Sequence, residues 1–80
     1  MPAPLLQLAA RVDARGLSCP MPIVRLTQST RPLPAGSVVE LLATDPGSVR
    51  DVAAWCRSTG NDLIEQTSDG GIHRFLIRRT

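Results

Sequence analysis

Asp13-Ala14-Arg15-Gly16-Leu17-Ser18-Cys19-Pro20-Met21-Pro22 takes the chain out of a short strand, around a glycine and into a helix, with a cysteine where the helix begins. With Cys19 as the N-cap, Pro20 falls at the first helical position and Pro22 at the third. A missing N–H costs little there, because first-turn donors have no intrahelical acceptor. The two prolines therefore start the helix and stiffen it. They also leave the thiol few partners: a capping side chain accepts from the second or third helical N–H, and Pro22 leaves only Met21 N–H and the more distant Ile23 N–H. A thiol so placed lies beside the positive end of the helix dipole, which favours the thiolate, so a depressed pKa is expected. Arg15 and Arg25 are the candidates for stabilising that thiolate or for docking, and Gly16 supplies the bend or positive φ of the approach loop.

Working outward, Leu8 to Asp13 reads as a strand, and the first helix runs from Pro20 to Thr30, with Ile23, Leu26, Thr27 and Thr30 at helical spacing. Pro32 and Pro34 end it. Val38 to Ala43 is β-branched and apolar enough for a central strand. Asp45 then caps a second helix with Pro46 at its first position, running to Thr59 and stopped by Gly60. Val49, Val52, Ala53 and Cys56 fall at i, i+3, i+4 and i+7, which makes Cys56 a core residue. Asp62 to Thr67 and Ile72 to Arg79 flank Ser68-Asp69-Gly70-Gly71 and form a hairpin.

The order β-α-β-α-β-β predicts an α+β fold. It is a two-layer α/β sandwich, a four-stranded mixed sheet with two helices on one face. The other face then lacks a helical cover. Ile72, Arg74, Leu76 and Arg78 share one side of the last strand and Phe75 and Ile77 the other, so some apolar surface is expected to be open for docking. Residues 1–7 read as a flexible tail and 8–80 as the single domain, since 80 residues suffice for one small core.

All nine basic residues are arginine. With no lysine, Schiff-base chemistry, a P-loop lysine and a lysine general base are excluded. A net charge of +2 argues only weakly for nucleic acid, although Arg74, Arg78 and Arg79 cluster near the C-terminus. Two cysteines without a C-x-x-C and a single histidine, His73, give neither a disulfide framework nor a metal site. His73 reads as a strand residue rather than a general base. The N-terminus lacks the parts of a signal peptide and no apolar run approaches a membrane span, so a cytoplasmic location is expected.

The stretch from Asp13 to Pro22 resembles the signature of the TusA/SirA/YedF family of small sulfur-carrier proteins. Pro34-Ala35-Gly36, Ala43-Thr44-Asp45-Pro46, Arg50-Asp51 and the closing Leu76-Ile77-Arg78-Arg79 are similar to the family in order and spacing. The resemblance covers nearly everything from Leu8 onward and implies a sandwich like the C-terminal domain of translation initiation factor three. It implies that Cys19 carries sulfur covalently as a persulfide and that no separate cofactor is bound. It further implies a sulfur-donor protein of the cysteine desulfurase or rhodanese type and an acceptor protein, DsrE/TusD-like or another, in tRNA thiolation, cofactor biosynthesis or sulfur oxidation. No membrane and no direct nucleic-acid contact are expected. The chain departs from the family in lacking lysines along the first helix, which alters the charge of the docking surface.

Two other readings stand beside this one. Cys19 could serve a thiol redox sensor or enzyme, for which Cys56 is the sole candidate resolving thiol. The chain could instead be an RNA-binding regulatory module, with only Trp55 and Phe75 available for base stacking.

Overall fold

The computed structural model of the protein describes residues 7–80; most of the expected tail, residues 1–6, lies outside the described residues. The elements in order are β1 (Leu8–Ala14), α1 (Met21–Thr30), β2 (Val38–Ala43), α2 (Ser48–Thr59), β3 (Asp62–Asp69) and β4 (Ile72–Arg78). The strands lie side by side as β1-β2-β4-β3, with β1 parallel to β2 and the other pairs antiparallel. This is the expected α+β order with a four-stranded mixed sheet.

Strand periodicity decides which residues meet the helices. Val12 pairs with Leu41 and Leu41 with Phe75, while Val39 pairs with Ile77 and Ala14 with Ala43, so one face presents a continuous apolar row. Leu26 of α1 and Val52 and Cys56 of α2 close over that row to form the core. Trp55 packs at its edge and donates from Nε1 to Thr27 Oγ1 at 3.1 Å, fastening one helix to the other.

The buried stripe of α2 is turned relative to expectation. Ser48, Val52 and Cys56 are buried, one turn apart, whereas Val49 is 37 % exposed. The helix also begins later than Pro46. Ser48 N–H donates to Asp45 O at 3.0 Å, which makes Asp45-Pro46-Gly47-Ser48 a β-turn with proline at the position that best suits its fixed φ. Gly47 is then the cap, and Asp45 does not cap the helix. Gly60, at φ 77°, ends it in the left-handed conformation, as glycine permits.

The sheet face without helices is less apolar than the sequence suggests. Val38, Glu40 and Leu76 are each 5 % exposed there, covered by long side chains instead of a helix. Arg11 holds Glu40 at 3.0 Å, Arg74 pairs with the same carboxylate, and Arg74 reaches Glu65 at 3.6 Å. Leu76, expected to contribute open surface, is thus buried beside a ladder of charge, and Ile72 remains exposed. His73 is a strand residue on β4, hydrogen-bonded through Nδ1 to Ser68 Oγ at 2.7 Å.

Candidate functional site

Because β1 and β2 run parallel, the loops that leave them emerge at the same end of the sheet. The first carries Cys19 and the second carries Asp45 and Gly47. Gly16 N–H donates to Thr44 Oγ1 at 2.9 Å and ties the loops together. Gly16 has φ 81°, which relieves the chain of a strained non-glycine residue where Leu17 N–H turns back to Ala14 O. The expected bend is therefore present, with a hydrogen-bonded partner that the sequence alone does not reveal.

The helix start differs by one residue from the reading above. Met21 N–H donates to Ser18 O at 2.9 Å, so Cys19 and Pro20 are the central residues of a turn, and their peptide bond is cis. Val24 N–H then donates to Pro20 O, making Pro20 the cap and Pro22 the second helical residue. Cys19 precedes the cap, and no side chain caps α1. Pro22 is buried while Cys19, Pro20 and Met21 are exposed. Pro22 thus anchors the helix start on one side, and the free thiol is left exposed on the other.

The electrostatics of the thiol reverse the expectation of a depressed pKa. Partial withdrawal from water, followed by the negative charges of Asp51 and Asp45, pushes Cys19 above the ordinary thiol value. Being outside the cap position, the sulfur loses the close approach to helical N–H groups on which the dipole argument relied. The candidate arginines do not reverse this. Arg15 makes a two-pronged pair with Asp13, Nε to Oδ1 and Nη2 to Oδ2, each at 2.9 Å. The pair and the Arg15 backbone N–H hold Asp13 down at about 2. Arg25 is exposed on α1 and makes no ion pair among the described residues.

Cys56 is 4 % exposed, and burial followed by the charge of Asp62 pushes it up to about 11. The two cysteines are free, one at the surface and one in the core, so Cys56 is not presented to Cys19 as a resolving thiol. Among the described residues no group of three histidine, cysteine or carboxylate side chains is placed to hold a metal. The C-terminal arginines separate: Arg74 joins the Glu40 ladder, and Arg79 donates from Nε to Thr30 O at 3.1 Å, closing the C-terminal end of α1. A cavity of about 250 Å³ there, between Thr27, Arg31, Trp55 and Arg79, lies at the far end of α1 from the thiol.

A thiol presented on a proline-shaped helix start, over this sheet order, can be compared with known proteins. The sequence model described as Sulfurtransferase TusA matches residues 10–79. The chain belongs to the TusA family of sulfur carriers. It is 47 % identical to YrkI of Bacillus subtilis (strain 168) over 68 residues, covering 85 % of this chain and 91 % of that one. Identity to the sulfur carrier protein TusA of Allochromatium vinosum is 44 % over 69 residues, covering 86 % and 91 %. The crystal structure of a SirA-like protein from Desulfitobacterium hafniense superposes with a TM-score of 0.77 at 27 % identity, over 86 % of this chain and 95 % of that one. The chain is thus a persulfide-relay protein of the TusA type, whose work requires a donor and an acceptor.

The sequence reading did not single out Asp51 as a site residue, and it assigned Asp45 to capping. The signal that could have found both is topological: parallel neighbours β1 and β2 bring their exit loops together, so any charge early in α2 faces the end of the first loop.

Proposed function

We propose that Cys19 is the residue that carries sulfur, taking it from a donor protein as a persulfide and handing it to an acceptor protein. The observation that supports this reading is the exposure of a free thiol at a rigid helix start while the second thiol is buried in the core. In loading, the Cys19 thiolate attacks the outer sulfur of a donor persulfide. A new S–S bond forms to Cys19, the donor's S–S bond breaks, and the donor leaves as a thiolate. In delivery, an acceptor thiolate attacks the outer sulfur of Cys19-S-SH, and the Cys19 thiolate is the leaving group. No oxidant is consumed in either step.

A carrier must keep its cargo between partners. The second cysteine, which could consume a persulfide by forming an internal disulfide, is withdrawn into the core and held protonated. Gly16, Pro20 and Pro22 shape the approach loop and helix start, and Arg15 and Arg25 belong to the docking rim. A cysteine desulfurase or rhodanese-type protein is the class of donor and a DsrE/TusD-like protein a class of acceptor. An exposed unpaired thiol suits the reducing cytoplasm. Described helices are too short and polar to cross a membrane.

The test is intact mass after incubation with a cysteine desulfurase and cysteine, or with a rhodanese and thiosulfate. One reducible sulfur is expected on the wild type and on Cys56→Ser, and none on Cys19→Ser. Sulfur retained in Cys19→Ser, or a Cys19–Cys56 disulfide instead of an adduct, would overturn the reading.

A further inference from the structure

At the C-terminal end of α1, helices α1 and α2 and the residues that follow β4 enclose a cavity of about 250 Å³, lined by groups that the sulfur chemistry does not use. Its lining includes Thr27, Arg31, Trp55, Thr59, Asn61 and Arg79, and no lining residue carries a carboxylate side chain. The charge there is unbalanced. Arg11, Arg15 and Arg74 are each paired with a carboxylate, whereas Arg31 and Arg79 belong to no ion pair among the described residues.

The polar groups of this cavity are already held in place. Arg79 is pinned through its backbone, whose N–H donates to Ser37 O at 2.8 Å, and through Nε, which donates to Thr30 O at 3.1 Å. Its Nη1 makes no hydrogen bond among the described residues. Asn61 accepts from Thr80 N–H through Oδ1 at 3.1 Å, which leaves its NH2 group as a donor. Trp55 Nε1 is spent on Thr27 Oγ1 at 3.1 Å, so the indole offers apolar ring surface and no donor. What remains to meet a ligand is a set of donors, two of them cationic, beside one aromatic wall.

We infer that the cavity binds a small organic anion, a monocarboxylate carried on a planar ring, with the carboxylate between Arg31, Arg79 and the Asn61 amide and the ring against Trp55. Arginine and a carboxylate match in plane and in charge. A single negative charge fits better than two, because the negative end of the α1 dipole lies beside the cavity and Arg79 already serves the carbonyls of Thr30 and Arg31. The volume sets the size: sites for drug-sized ligands run from about 300 to 1,000 Å³, and this one, just below that range, suits one ring. The ligand would join α1, α2 and the residues after β4, and would stabilise the fold at the end of α1 remote from Cys19, about 15 Å of helix away.

Trp55 is the chain's one tryptophan, and there is no tyrosine, so indole emission reports on this cavity alone. The full chain is titrated with benzoate, with benzamide as its neutral counterpart and with inorganic phosphate, exciting at the red edge of indole absorption, and Tm is measured with each. Benzoate is expected to change the emission saturably with Kd of roughly 1 mM, the affinity open to a ligand of so few atoms, and to raise Tm by about 5 °C or more at about ten times Kd. Benzamide and phosphate should bind at least about tenfold more weakly, since one lacks the charge and the other the ring. Arg31→Gln should weaken benzoate by about threefold and Arg79→Gln by about tenfold or more. Asn61→Asp keeps the acceptor for Thr80 N–H but exchanges the NH2 donor for a negative charge, and should abolish binding.

Emission and Tm both unmoved by benzoate, benzamide bound as tightly as benzoate, or phosphate bound more tightly than benzoate would overturn the inference. So would benzoate binding undiminished in Asn61→Asp. Should Arg79→Gln fail to fold for want of its contacts to the end of α1, Arg31→Gln and Asn61→Asp decide the matter alone. No sulfur transfer enters these titrations, so their outcome is independent of whether Cys19 loads from a donor.

Discussion

Removing Arg74 should destabilise the protein far more than removing Arg11, although both arginines hold the same carboxylate. The Glu40 side chain is 7 % exposed on the central strand, while Arg74 is 37 % exposed and Arg11 75 %. Breaking a fully buried pair by deleting one partner costs about 3–5 kcal/mol, since the other charge is stranded. Arg74 lies about a third in solvent and Arg11 remains nearby, so screening reduces the expected cost of Arg74→Met to about 2 kcal/mol. Arg11→Met removes a mostly hydrated partner and should cost under about 1 kcal/mol. In urea, with a slope of about 1 kcal/mol per molar for a domain of this size, the two midpoints should separate by about 1 M or more. The double variant Glu40→Met/Arg74→Met should recover most of the loss, because the stranded charge disappears and the stem volumes are kept. Equal midpoints for Arg74→Met and Arg11→Met, or a double variant no better than Arg74→Met, would refute the reasoning.

The remaining predictions concern single features of the site and core. Gly16→Ala, at φ 81° with open space around its Cβ position, should cost about 1–2 kcal/mol through backbone conformation alone, read by thermal unfolding. Ser48→Ala should stabilise: Ser48 Oγ is buried without a hydrogen-bond partner, and deleting it should return about 1 kcal/mol and raise Tm by about 4–8 °C. Cys56 should resist alkylation at pH 8 in the native protein and react in urea. Its folded pKa of about 11 exceeds the ordinary 9.0, so the unfolded chain loses this proton first, and stability should decline as pH rises from 9 toward 11. In Cys56→Ala that decline should be smaller in an unfolding series over the same range. The titration of Asp13, held at about 2 by Arg15, should return toward the ordinary 3.8 in Arg15→Ala when followed by NMR.

Much of the fold is legible because its signals are local. The β2 limits, Val38–Ala43, follow from an apolar β-branched run between prolines and a turn, and the Gly70–Gly71 hairpin follows from two residues that take positive φ. Gly60 ends α2 where a left-handed residue is needed. The helix starts were less legible for a shared reason. Both Cys19-Pro20 and Asp45-Pro46 read as cap followed by first helical residue, but in each case the proline belongs to a turn that completes itself before the helix begins. At Asp45-Pro46 the proline takes the second turn position, which asks nearly the same φ as a helical first turn, so that dipeptide does not distinguish the two. The open sheet face is legible in part: Ile72 is exposed as expected, but alternation, which places Leu76 beside Arg74 and Arg78, does not reveal that a glutamate on β2 draws Arg11 and Arg74 across it.

The site shows how a one-residue change of register alters chemistry. With Cys19 as cap, its sulfur would sit against helical N–H groups and the nearest field would be positive. One residue earlier, it belongs to the approach loop, and its neighbours are decided by which other loop the parallel pairing of β1 and β2 brings alongside. That loop leads into α2 and carries Asp45, with Asp51 in the first turn of the helix, where carboxylates are favourable for the helix itself. Withdrawal from water first, and then the charges of Asp51 and Asp45, raise the Cys19 pKa where a cap position would have lowered it.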